Sequence, residues 1–153
     1  MTRSLFPILA IALLFTACAE PVEEAAAPAE EVVDLRSPAP EGARVFFANL
    51  EDGATVSSPF TVEFGLEGMD VIPAGTDQEH SGHHHLMIDL DELPAMDMPM
   101  PADSQHVHFG KGQTSVELDL APGDHRLQLV LGNYLHIPHD PPVISEVITV
   151  TVE

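Results

Sequence analysis

The chain has 153 residues, of which 25 are acidic and 5 are basic, so its formal charge at pH 7 is −20. This charge argues against a nucleic-acid partner, because contacts to phosphates need clustered Lys and Arg side chains. The chain also has a single cysteine, which cannot form a disulfide within one molecule. The same negative field would concentrate cations near the surface.

The chain begins with MTRSLFPILAIALLFTAC, which has the pattern of a secretory signal. Arg3 supplies the positive charge, an apolar stretch follows, and Thr16 and Ala17 are the small residues before a cleavage point. The apolar stretch is too short to span a membrane as a helix. We therefore predict a signal peptide over residues 1–17.

Cys18 follows the small residues directly, and the segment LFTAC resembles the lipobox of bacterial lipoproteins. In that motif the cysteine becomes the lipidated N-terminus, although Phe15 stands here where leucine is usual. Ala19 is not the aspartate that retains many lipoproteins at the inner membrane. The resemblance implies an anchor at the periplasmic face of the outer membrane, or secretion if Cys18 is not lipidated.

Residues 19–41 are rich in Ala, Glu and Pro and have no aromatic side chain. Such a segment cannot bury enough apolar surface to fold, so we predict a disordered tether. Residues 42–153 remain for one domain with a core of its own.

Within this domain, apolar residues recur with the period of two that is typical of half-buried strands. The clearest sets are Phe60, Val62 and Phe64, then Leu86 and Ile88, then Leu127, Leu129 and Leu131, and finally residues 143–152. Gly, Pro and Asp turns separate the segments at spacings of roughly ten residues. We predict an all-β fold, an immunoglobulin-like antiparallel β-sandwich of about seven to eight strands.

The chain has nine histidines, and eight of them occur in the runs HSGHHHL, HVHF and HIPH. Histidine is the commonest metal ligand. On a strand in which Leu86 and Ile88 face the core, His84 also points inward, whereas His83 and His85 share the opposite, exposed face. Two such imidazoles start about 6–7 Å apart and can converge on one ion.

The other two runs extend the candidate site. His106 and His108 point outward together if Val107 and Phe109 face the core, and His136 and His139 lie in a proline-stiffened loop. The predicted metal ligands are therefore His83, His85, His106, His108, His136 and His139.

The remaining histidines have other expected roles. His125 has the parity of Leu127 and should pack at the start of a core-facing strand, and His80 lies in a polar loop and is left without a role. Met96, Met98 and Met100 precede the second histidine run, and thioethers favour Cu(I) while imidazoles suit copper, zinc and nickel. Methionine is also ordinary filler of apolar loops, so the preference for copper is slight.

The segments GHHHLMID, HVHFGKGQT, LAPGDHRLQLVLGN and HIPHDPPVISEVITVTV together resemble a bacterial family, domain of unknown function 4399. The resemblance extends over residues 41–153 and implies an exported all-β domain. It strengthens the group of His83, His84, His85, His106, His108, His136 and His139. It implies no reaction.

Three functions stay open at this point. The first is a membrane-tethered periplasmic module that binds copper, or else zinc, for metal storage, delivery or sensing. The second is a non-catalytic envelope module that binds a protein partner and holds its histidines in a hydrogen-bonded belt. The third is a redox metalloenzyme, although the sequence has no nucleophile triad, no phosphate loop and no H-E-x-x-H motif, so we predict no catalytic residue.

Overall fold

The computed structural model describes residues 33–153, and these residues form an all-β fold, as the sequence predicts. The predicted signal peptide over residues 1–17, the predicted lipidation site at Cys18 and most of the predicted tether over residues 19–41 lie outside the described residues. Among residues 33–153, no helix is long and apolar enough to cross a membrane.

Most of the strands coincide with the alternating apolar segments of the sequence. Their bounds are β1 Arg44–Phe47, β2 Ala54–Val56, β3 Phe60–Glu67, β4 Asp70–Val71, β5 Ser81–Ile88, β6 His106–His108, β7 Ser115–Leu118, β8 Gly123–Gly132 and β9 Ile148–Val152. The short β2 and β4 bring the number of strands above the predicted range, because segments of two or three residues are too short to show a period.

The strands form two sheets in a sandwich-like arrangement. The smaller sheet has the order β1-β3-β7, and the larger has the order β2-β9-β8-β5-β4, with β6 also paired to β5. Most strand pairs are antiparallel, as the sequence predicts, and the exceptions are β2 with β9 and β4 with β5, which pair in parallel. Each of these strands follows a strand of the smaller sheet, so no hairpin forces it to run antiparallel to its neighbour.

The main core lies between the sheets. On β3, Val62 and Phe64 alternate with exposed Thr61 and Glu63, and on β8 Leu129 is fully buried. On β5, Leu86 and Ile88 join the same core, as their parity predicts.

The other face of β5 is buried as well, which corrects the prediction that it is exposed. All eight residues of β5 are buried. A second apolar cluster of Met87, Met100 and Val130 covers this face, with Leu90, Leu93 and Ile144 packed against it. Met87 and Val130 belong to β5 and β8, whereas Met100, Leu90, Leu93 and Ile144 come from connections between strands, which the parity of β5 alone could not predict.

The predicted strand over residues 143–152 is interrupted. Val143 and Ser145 are buried, Val147 is 39% exposed, and the regular strand β9 begins only at Ile148. The Ser145 hydroxyl accepts a hydrogen bond from the Leu129 amide at 2.9 Å. This side-chain bond replaces a backbone bond between the strands. The buried positions therefore change from odd-numbered residues up to 145 to even-numbered residues from 148.

The folded domain includes residues before the predicted boundary at residue 42. The Ala39 amide donates to the Asp140 carbonyl at 3.1 Å, and the Asp140 amide donates to the Ser37 carbonyl at 3.0 Å. The Asn133 side chain donates to the Leu35 carbonyl at 2.9 Å. Residues 35–39 are thus hydrogen-bonded, mainly through their backbone, to the connection between β8 and β9. Composition alone does not predict such backbone contacts.

Candidate metal centre

Strand pairing brings three histidines together on the outer face of the larger sheet. His83 and His85 are two residues apart on β5 and therefore share a face. In the antiparallel pair of β5 and β6, His108 lies directly opposite His85. Residues opposite each other in such a pair have Cβ atoms about 4.5–5.5 Å apart, so this register places a third imidazole beside the first two.

The three rings converge closely enough to share one ion. His83, His85 and His108 each offer a ring nitrogen, and these nitrogens all lie within 4.8 Å of one another. The Nε2 atoms of His83 and His85 are 3.0 Å apart. Within residues 33–153, this is the one group of three or more His, Cys, Asp or Glu side chains with such spacing.

His136 adds a fourth ring from the connection between β8 and β9. Its ring centroid lies 4.9 Å from that of His83, 5.9 Å from that of His85 and 4.7 Å from that of His108. The backbone of His136 has a positive φ of 67° and donates its amide to the Asn133 carbonyl at 2.9 Å. This tight turn places the ring beside those of His83, His85 and His108.

Two glycines leave the space that the rings occupy. A Cβ on Gly110 would lie 2.3 Å from Cε1 and 2.6 Å from Nε2 of His108. A Cβ on Gly132 would lie 2.9 Å from Nε2 of His85. Glycine inside or next to a strand often marks such a close approach, and Gly110 and Gly132 are therefore the signal in the sequence that the histidine pattern alone does not contain.

Burial keeps these imidazoles neutral. It lowers the pKa of His83 to about 3 and that of His85 to about 2, and the neighbouring histidines lower both further. Burial also lowers the pKa of His108, followed by the effect of His136. Neutral imidazole is the form that binds a metal.

Two ring nitrogens of the group are buried without a hydrogen-bond partner, Nδ1 of His85 and Nε2 of His108. A buried polar atom without a partner is rare, because it loses its hydration without compensation. Nε2 of His84, in the core, is also without a partner, and an ion bound through Nε2 of His85 would leave Nδ1 of that ring unpaired.

The structure does not bring His106 and His139 into this group. His106 lies opposite Met87 in the β5–β6 pair, and its Nδ1 is 2.8 Å from Oδ1 of Asp103. His139 is fully buried, with Nδ1 3.3 Å from the Leu131 carbonyl oxygen and Nε2 3.1 Å from that of Ser81. Both rings are held by oxygen acceptors of the protein.

The other three histidines lie outside this group, and His84 is on the core side, as its parity predicts. His84 is fully buried in the core, with its ring 5.2 Å from that of Phe64. His125 precedes the core-facing leucines of β8, and its Nδ1 lies 2.8 Å from Oδ2 of Asp89. His80 has a side chain that is 51% exposed.

Of the three alternating methionines, Met100 alone is buried. It is 6% exposed, whereas Met98 is 59% exposed. The Met100 amide donates to the His136 carbonyl at 2.9 Å. The regular spacing of the three methionines does not distinguish the buried one from the other two.

The comparisons with known proteins give a family. The family model described as Domain of unknown function (DUF4399) matches residues 62–153, a range that includes every histidine of the chain. Neither the curated proteins nor the solved structures contain a match to the chain. Because the match covers more than half of the sequence, the chain belongs to the DUF4399 family.

Proposed function

We propose that this domain is a metal-binding module that holds one transition-metal ion through His83, His85 and His108, with His136 as a fourth ligand. The observation that carries the proposal is the convergence of three imidazole nitrogens within 4.8 Å of one another on paired strands. His83 and His85 are each 1% exposed, so the rings are held by packing rather than free in solvent.

Copper is the first choice of ion and zinc the second. Imidazole suits both, and an all-imidazole group without cysteine or carboxylate lacks the ligands that select calcium or magnesium. A metal cation bound by neutral rings keeps its full charge. The formal charge of −20 on the chain offsets that charge and raises the local cation concentration.

We further propose that the module is a periplasmic lipoprotein anchored through Cys18, and that it stores, delivers or senses the metal. The support for this setting is the lipobox-like segment LFTAC. His136 supports an exchange role, because it comes from a connection between strands while the other three rings come from the sheet itself. A ligand on a connection can withdraw more easily than one on a strand.

The test is calorimetric titration of the full chain with Cu(II) and with Zn(II) in a non-coordinating buffer. We expect about one ion per chain at one site. His85→Gln should weaken binding by more than the roughly 10–100-fold typical of losing a second-shell partner, because it removes a ligand. His80→Asn is the matched control, since His80 is exposed and has a positive φ of 54° that asparagine tolerates.

A second candidate is a structural module with a hydrogen-bonded histidine belt, in which the domain binds an envelope protein. It is favoured by the 3.0 Å contact between Nε2 of His83 and Nε2 of His85, which suits an N–H···N bond between neutral rings. The two functions differ in the titration. A belt predicts no metal binding by the wild type, together with a loss of stability in His85→Gln.

A further inference from the structure

We infer that Met100 is an additional ligand of this centre, through its thioether sulfur, and that the bound ion is Cu(I). This inference rests on the proposed metal-binding function and deepens it, because it names the oxidation state of the ion and the soft ligand that selects it.

The first support is position. A Cβ on Gly132 would lie 2.9 Å from Cε of Met100 and 2.9 Å from Nε2 of His85. The end of the Met100 side chain and the ligand nitrogen of His85 therefore meet across the bare backbone of Gly132. The Met100 sulfur is one bond from that methyl group.

The second support is the way in which Met100 is held. Its side chain is buried with Met87 and Val130, and its amide donates to the carbonyl of His136, the fourth histidine. The segment that carries the thioether is therefore bonded to the turn that carries the fourth imidazole.

The third support is chemical. The group offers only imidazole nitrogens, which bind a metal in their neutral form, and it contains no carboxylate or thiolate. The cost of burying an ion among neutral groups rises steeply with its charge, so a monovalent ion is favoured over a divalent one. A thioether is a soft donor that binds Cu(I) well and adds little to Zn(II).

The experiment compares wild type, Met100→Leu and Met98→Leu as full chains. Leucine conserves the volume and apolar character of methionine, so both variants should fold. Met98 is the matched control, because it lies two residues away and its side chain is largely exposed. Cu(I) affinity is measured anaerobically by competition with a chromophoric Cu(I) chelator, and Zn(II) affinity by titration.

We expect Met100→Leu to weaken Cu(I) binding by about 10–100-fold and to leave Zn(II) binding unchanged, while Met98→Leu changes neither. X-ray absorption of the wild-type Cu(I) complex should show a sulfur neighbour that is absent in Met100→Leu. An all-nitrogen shell in the wild type, or equal Cu(I) affinities of wild type and Met100→Leu, would overturn the role of Met100 and leave the metal site standing. A wild type that binds neither ion would overturn the proposed function itself.

Discussion

Nε2 of His83 and Nε2 of His85 lie 3.0 Å apart, although their residues are separated by two positions on one strand. Side chains at this spacing leave the strand about 6–7 Å apart. The two rings therefore lean toward each other, and their centroids are 4.8 Å apart. Two imidazoles in this arrangement can share an ion or a proton, and the following predictions separate these uses.

Gly110→Ala should weaken metal binding without removing a ligand. The new Cβ would lie 2.3 Å from Cε1 of His108, closer than real Cβ contacts, so the ring must leave its present position. We expect metal affinity to fall by more than about tenfold, since second-shell changes already cost that much. Calorimetry gives the affinity, and His108→Ala is the comparison. An affinity equal to that of wild type would contradict the assigned place of His108.

His136→Asn and His106→Ala should have different effects on metal binding. The ring of His136 is within 4.7–5.9 Å of the other three by ring centroid, whereas His106 is bonded to Asp103. Asparagine tolerates the positive φ of 67° at residue 136. We expect roughly 10–100-fold weaker binding for His136→Asn and no change for His106→Ala. If His106→Ala weakened binding and His136→Asn did not, His106 would be a ligand, as the sequence predicts, and His136 would not.

The metal-free domain should lose stability as the pH falls from 7 to 5. Folding lowers the pKa of His83 to about 3 and that of His85 to about 2, from an ordinary value of 6.5. Below pH 6.5 the unfolded chain therefore binds protons that the folded chain does not, so the free energy of unfolding decreases with falling pH. Urea unfolding in the presence of a chelator measures it.

The matched variant for that experiment is His85→Gln, which lacks one of the groups that the folded chain keeps neutral. Its stability should depend less on pH than that of wild type between pH 7 and 5, where most carboxylates remain ionised. Identical slopes for the two proteins would contradict the low pKa of His85.

His125 should show the opposite pH dependence. Its hydrogen bond to Asp89, together with that to the Ala121 carbonyl, raises the pKa of His125 above its ordinary value of 6.5. The stabilisation by the charged ring is complete below pH 6.5 and disappears as the pH rises through the raised pKa. Asp89→Asn should lower the pKa of His125 in an NMR titration. It should also destabilise the domain by about 0.5–1 kcal/mol at low pH and by less at high pH. An unchanged pKa would show that the Asp89 contact does not form in solution.

The sequence predicts the part of the centre that depends on strand parity. The alternation of Leu86 and Ile88 places His83 and His85 together and sends His84 into the core, and the structure has this arrangement. Parity also places His106 and His108 on one face. It does not say which of them lies opposite His85, because that is decided by the register of β6 on β5.

The rest of the site depends on contacts that are distant in sequence. Met100 covers a face of β5 that parity alone describes as exposed, and only the folded connections bring it there. The glycines at 110 and 132 become informative once the rings that fill their space are known. The sequence also does not predict the two parallel strand pairs, because β2 and β4 are too short to reveal their direction.

The segment before β1 has a mechanical consequence for the centre. The backbone of Ser37 and Ala39 is bonded to Asp140, and Asn133, whose carbonyl accepts from His136, also holds the Leu35 carbonyl. A pull on the chain at Val33 would therefore load the turn that carries His136 before it loads either sheet. The incoming chain and the ring of His136 are thus linked through this turn, so tension from the N-terminal side would move His136 relative to the three rings borne by strands.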